Sequence, residues 1–311
     1  MLSLLSFASA MSVLRFCGVA ALLASASASS ASSASASPWW SSQVVSFWYA
    51  PDNDWPSMID IVNSHPGLVT SVMSYCGIDI ADNGTIISKF LPTCAAYFPE
   101  LKKLGVRTEL ATGSGNCSIS AMRLLWSDTT LSPAVLLAAV LASGADGLNI
   151  DFEPQGDNCA GGPTGDAADA ALFSAWLAAV RAVLAPHGVR LTVDVASWSP
   201  VLREYATLAK GADRLLTMET YNCDSPSQWD GYFRDFVTNT PLASAGIGLG
   251  AWSDGHSAWW ETAPAAAYKV NASIAARAPE LAVFRIVPEP EVSPEWPLSF
   301  WWGALAPFVA K

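Results

Sequence analysis

The stretch Asp146-Gly147-Leu148-Asn149-Ile150-Asp151-Phe152-Glu153 alternates between apolar residues and polar or small ones. Successive side chains of a strand point to opposite faces. Leu148, Ile150 and Phe152 therefore share one face, and Gly147, Asn149, Asp151 and Glu153 share the other. Three stacked polar side chains on an inner face are costly unless they serve one another or a ligand. Glu153 comes last and emerges at the strand's end, with Asp151 one pleat below, about 7 Å away by backbone rise. A carboxyl at a partly buried mouth above a second carboxyl has a raised pKa, as a general acid working near neutral pH requires. A polar network that only braces the fold is the structural alternative.

Seven further β-rich runs flank this one: Gln43–Ala50, Leu68–Ile80, Gly105–Thr112, Val189–Trp198, Arg214–Asn222, Ala245–Trp252 and Leu281–Val287. Helical stretches lie between them. In Ala167–Leu184, Leu172, Trp176, Ala179, Val180 and Val183 recur at helical spacing. His187-Gly188 follows it, with Gly at a C-cap. Leu131–Leu141 is a second helix, which Ser132-Pro133 is expected to open. Strands alternating with helices through one domain predict a single parallel (β/α)8 TIM barrel. The last strand has two candidates, Leu281–Val287 and Ser299–Leu305. The second would leave almost no chain for a closing helix, so Pro297–Val309 is read as that helix, bent or ended by Pro307. In such a barrel the chemistry sits at the carboxyl ends of the strands.

Composition narrows the function further. The 311 residues are 51% hydrophobic, which excludes a disordered chain. Sixteen Lys+Arg against 27 Asp+Glu give a net charge of -11, which argues against a nucleic-acid partner. The three His residues form no metal spacing, and neither a metal nor a cofactor is expected. Arg15, the apolar stretch Phe16–Ala24 and the small-residue sites Ala24-Ser25-Ala26 and Ala26-Ser27-Ala28 read as an export signal. Residues 1–37 are thus a signal peptide with a Ser/Ala-rich leader, and 38–311 the barrel domain. No later apolar run is expected to span a membrane. A secreted protein, or one in a vacuolar or lysosomal lumen, follows, and a monomer is expected. Cys76, Cys94, Cys117, Cys159 and Cys223 remain after the signal, an odd number whose pairing the spacing leaves open. Three sequons begin at Asn83, Asn116 and Asn271.

The fourth run resembles the signature of glycoside hydrolase family 18, the chitinases and chitobiases, whose pattern is Asp-Gly-x-Asp/Asn-x-Asp-x-Glu. Asn149 occupies a position where the family allows Asn. The sixth run supports the resemblance: Glu219-Thr220-Tyr221-Asn222 is similar to the family's Gln-x-Tyr-Asn, whereas Met218 has the wrong parity to match. The resemblance implies a retaining, substrate-assisted hydrolase of β-1,4-linked N-acetylglucosamine oligosaccharides. In that family the substrate's acetamido oxygen replaces a carboxylate nucleophile.

Carried over, Glu153 is the acid/base, Asp151 holds the acetamido N–H, and Tyr221 donates to its carbonyl. Asn149 would hydrogen-bond Asp151, and Asp146 belongs to the same signature. Glu219 stands where the family has Met or Gln. It could bind a sugar hydroxyl or join a network with Asp194. Asn222, Trp48, Trp198 and Trp252 are substrate-binding candidates, because sugar faces stack on aromatic rings. The family's eighth-strand Trp has Phe284 or Arg285 as its nearest counterpart. About ten residues separate Trp252 from the next helix, too few for the family's small α+β insertion, so an open cleft is expected. The competing reading is a catalytically weak or inactive barrel that binds chitin oligosaccharides as a lectin does.

Overall fold

Eight parallel strands close into a barrel in chain order: β1 (Val44–Trp48), β2 (Ser71–Tyr75), β5 (Arg107–Thr112), β6 (Gly147–Ile150), β7 (Arg190–Val195), β8 (Arg214–Thr217), β9 (Ala245–Gly250) and β10 (Glu280–Phe284). The computed structural model describes residues 37–49, 54–80, 84–113, 118–154, 164–221, 223–251, 262–286 and 299–310. Residues 1–36 of the leader, with its cleavage sites, fall outside the described residues. All eight strands lie within the runs expected from sequence, apart from a one-residue extension of the last to Glu280. The eighth strand is the earlier of its two candidates.

Outer helices are α1 (Trp55–Ser64), α2 (Pro92–Lys103), α3 (Ile119–Ser127), α4 (Leu131–Ser143), α5 (Ala167–Leu184), α6 (Tyr205–Leu208), α7 (Pro226–Asn239), α8 (Ala263–Ala275) and α9 (Ser299–Val309). The last contains Pro307 near its end, where little helix remains to be broken. Because α8 begins at Ala263, just past β9, no α+β insertion fits there. Helix α5 has the length and hydropathy of a membrane crossing, yet it buries Phe173, Trp176, Leu177, Val180 and Leu184 against the barrel.

Local details differ from the sequence reading in three places. The run Leu68–Ile80 is two elements: β2 ends at Tyr75, and β3 (Ile78–Ile80) forms an antiparallel hairpin with β4 (Ile86–Ser88). Gly77 makes the break at φ 88°, where a Cβ would lie 1.9 Å from the Lys89 carbonyl oxygen. A Cys76–Cys94 disulfide ties the foot of this hairpin to α2, closing a loop worth about 3 kcal/mol. Helix α4 is not capped by Ser132. The Asp128 carboxylate accepts from the backbone N–H groups of Thr130, Leu131 and Ser132 instead. The sixth barrel strand ends at Thr217, and Met218–Tyr221 form a turn closed by Tyr221 N–H to the Met218 carbonyl at 3.0 Å.

The barrel floor is a buried ionic layer. Arg190 donates to Glu109 at 2.7 and 3.2 Å and to Glu280 at 2.7 and 3.0 Å, all three fully buried. Ser46 and Ser71 donate to Glu280 and Glu109. The Trp39 ring covers the Arg190 guanidinium at 4.8 Å, and the Trp40 carbonyl accepts from Arg214 at 2.5 Å. Paired and hydrogen-bonded charges of this kind can be buried. They close the end of the barrel opposite the strand exits.

Candidate active site

Above this floor the lumen turns apolar. Met73, Ala111, Leu216, Ala282 and Trp48 pack together, with Tyr75 and Phe284 against them. Leu148 and Ile150 lie in the separate core between barrel and helices, as the alternation requires. Asn149 and Asp151 point inward and are buried. Phe152 packs outward against Trp126 and Phe173. Glu153 lies partly exposed at the strand exit.

Asp151 accepts a hydrogen bond from the Tyr75 hydroxyl on β2. Burial first, then the Glu153 charge, raises its pKa to about 7, against the lowering effect of Tyr75. Asp194 on β7 is 1% exposed. Burial and then the Asp151 charge push it well above the usual carboxylate range, while Asn149 acts against them. Tyr221 is buried, and burial, Asp194, Asp151 and Glu153 in that order raise its hydroxyl. Its ring stacks on Phe284 at 5.1 Å and occupies space that a Cβ on Gly248 would invade, 2.3 Å from the ring. Trp48 contacts Tyr75 at 5.5 Å and Phe284 at 6.2 Å between ring centroids. Phe284, rather than Arg285, is thus the aromatic side chain of the eighth strand at the mouth.

The structure gathers Asp151, Asn149, Tyr221 and Trp48 in one inward cluster, with Glu153 at its mouth. Three other assignments need correction. Asp146 sits at the foot of β6, outside the site. It pairs with Lys102 at 3.2 Å and Arg107 at 3.3 Å and accepts from Thr108 N–H at 3.1 Å. Its even position gives it the outward parity of Leu148. Asn149 does not bond Asp151; its amide donates to Thr192 Oγ1 on the adjacent strand at 3.0 Å. Glu219 does not join Asp194. The chain has left strand geometry there, and its carboxylate accepts from Ser197 Oγ at 2.7 Å and Trp198 N–H at 2.8 Å. That bond fixes the rim loop carrying Trp198, whose side chain is 42% exposed. Asn222 and Trp252 lie outside the described residues.

From sequence, Tyr75 is one of several aromatic rings at strand exits that could contact a sugar, and Asp194 a buried partner for a polar neighbour; neither is tied to Asp151. Both have a legible signal, an inward polar group at the exit of an otherwise apolar strand. Their relation to Asp151 depends on neighbouring strands and is invisible in either run alone.

The closed barrel is a chitinase-like fold of the glycoside hydrolase family 18 type. A chitinase from Chromobacterium violaceum ATCC 12472 superimposes with a TM-score of 0.65 at 14% identity, covering 86% of this chain and 99% of that one. A GH18 chitinase from Pseudoalteromonas aurantia gives 0.62 at 14% identity, covering 85% and 99%. The spore cortex-lytic enzyme SleL of Bacillus megaterium QM B1551 gives 0.65 at 11% identity, covering 85% and 73%. No protein-family model and no curated sequence matches the chain.

Proposed function

We propose that this protein is a retaining glycosidase that hydrolyses β-1,4-linked N-acetylglucosamine oligosaccharides with help from the substrate's acetamido group. The observation that carries the reading is the buried Asp151 directly beneath Glu153 at the fourth-strand exit, with Tyr221 in the same field. Glu153 reaches the solvent side of the mouth, where it protonates the leaving oxygen and then activates water. Asp151, anionic above pH about 7, accepts the acetamido N–H and stabilises the positive charge that develops when the acetamido oxygen attacks. Tyr221, its hydroxyl protonated, donates to the acetamido carbonyl and polarises it for that attack. Trp48 and Phe284 supply apolar ring faces, and Trp198 a rim platform that Glu219 holds in place.

Residues 1–37 act as the export leader and 38–311 as the catalytic domain in this reading. The Cys76–Cys94 bridge is in keeping with an exported protein.

The test is turnover of chromogenic N-acetylglucosamine di- and trisaccharides by wild type and Glu153→Gln, from about pH 4 to 8. Loss of the acid lowers turnover at least about a hundredfold. Binding of these sugars without wild-type turnover would overturn the hydrolase reading in favour of a lectin-like protein.

A further inference from the structure

The pairing of β6 with β7 sets Gly147 against Arg190, Asn149 against Thr192 and Ile150 against Val193. Carried one residue further, that register puts Asp151 level with Asp194. Both share the inward parity of Asn149 and Thr192, on strands about 4.8 Å apart. Two buried carboxyl groups therefore lie side by side across one strand gap. Oδ1 of Asp151 is buried without a hydrogen-bond partner among the described residues, and of the groups acting on Asp194 only the Asn149 amide favours its anion. Asn149 spends an amide hydrogen on Thr192. Ionised carboxylates only accept hydrogen bonds and repel each other, so two of them buried side by side favour a proton on one of the pair.

We propose that Asp194 is a positioning residue for the reaction: it stays protonated through neutral pH and donates its hydrogen to Asp151, holding that carboxylate in place for the substrate's acetamido group. One proton and one negative charge then belong to the pair. Tyr75 supplies the second donor to Asp151 from the opposite side. This arrangement gives Asp194 a task that Asn149 does not fill, since the Asn149 amide donates to Thr192 instead.

The groups facing Asp194 agree with a neutral acid there. Asp151 and Glu153 approach from β6 and its exit, and Glu109 lies below on β5. Leu216 stands level with it on β8, and Tyr221 closes the space above. Arg190, two residues earlier on β7, is committed to Glu109 and Glu280. Arg214, one pleat below Leu216 on β8, turns towards Glu280 and the Ala243 and Trp40 carbonyls, and no cation among the described residues acts on Asp194.

The inference rests on the hydrolase reading for its consequence but not for its detection. The first readout is infrared spectroscopy of the ligand-free full chain near pH 8. The wild type is expected to show the carbonyl band of one protonated carboxylic acid. The band should disappear in Asp194→Asn and Asp194→Ala and change frequency in Asp151→Asn. Absence of the band in wild type, its survival in Asp194→Asn, or an unmoved frequency in Asp151→Asn would overturn the proposal.

The second readout is the pH profile of kcat/KM on the trisaccharide. Asp194 is neutral while Asp151 titrates, so Asp194→Ala removes a donor and no charge. The acidic limb should move up by at least about one pH unit, a tenfold loss at a pH on that limb. Asp194→Asn keeps a donor and the side-chain shape, and its limb should stay near that of wild type. An unmoved limb in Asp194→Ala also overturns the proposal. A wild type that turns over no sugar while the band behaves as expected leaves the proton assignment standing and removes only the hydrolase reading.

Discussion

The ammonium of Lys269, buried in α8, donates to the backbone carbonyl of Tyr221 at 3.0 Å and to that of Thr220 at 3.4 Å. A helix on the outside of the barrel thereby holds the turn that carries an inward tyrosine. Burial lowers the Lys269 pKa to about 8, while neighbouring Cys223 works in the other direction. In Lys269→Met the stem is kept and the tie is lost. We expect kcat to fall between about ten- and a hundredfold, since small displacements of a positioned group carry such effects. KM should change little. Steady-state kinetics on the trisaccharide would check the split.

Asp151 makes stability pH-dependent with a definite sign. Its pKa is about 7 when folded and about 3.9 when unfolded. Between those values the folded state binds more protons, so stability is greatest at the acid side of the window and falls as pH rises towards 7. The slope reaches about 1.4 kcal/mol per pH unit per proton. Asp194 is raised likewise and acts in the same direction. Urea unfolding from about pH 4 to 7 should show this decline, and Asp151→Asn should flatten it.

Phe284 touches both Tyr221 and Trp48. Truncation in Phe284→Ala removes the ring on which Tyr221 stacks and opens the lumen beneath the mouth. The stability loss is expected at about 3 kcal/mol, and kcat/KM should fall with it. Phe284→Trp retains a flat ring and should keep turnover, measurable with the same chromogenic sugars.

Arg190 is buried and bonds both Glu109 and Glu280. Arg190→Met leaves two buried carboxylates facing each other, with Arg214 3.6 Å from Glu280 as the cation left near them among the described residues. Burial already raises the Glu109 pKa, against the lowering effect of Arg190. Breaking such a network costs about 3 to 5 kcal/mol. Chemical denaturation at pH about 7 would measure it. Acidification should recover part of the loss, because it neutralises the stranded carboxylates.

Much of the architecture is local and was readable in the chain. The alternation in Asp146–Glu153 separated lumen from helix face correctly for Asn149, Ile150, Asp151 and Phe152. Helix α5 ran over the very residues its apolar spacing marked, with the Asp166–Asp169 capping box at its start. Where the sequence reading failed, the strand period had been extended past the strand. Glu219 follows the end of β8, so alternation no longer decides its direction, and the Ser197 and Trp198 donors capture it. Asp146 fell to motif matching, since its own parity already placed it outside the lumen.

The sequence by itself determined the barrel, its inward carboxylates and the strand exit where they meet. Those features follow from a two-residue period and from connection lengths, which act within one segment at a time. Tertiary structure decided which polar groups meet. The level of Asp151 beside Asp194 comes from β6–β7 register, the Tyr75 contact from barrel closure, and the Lys269 tie from the docking of α8. Each relation joins residues between 43 and 76 positions apart in the chain, which only the closed barrel brings side by side.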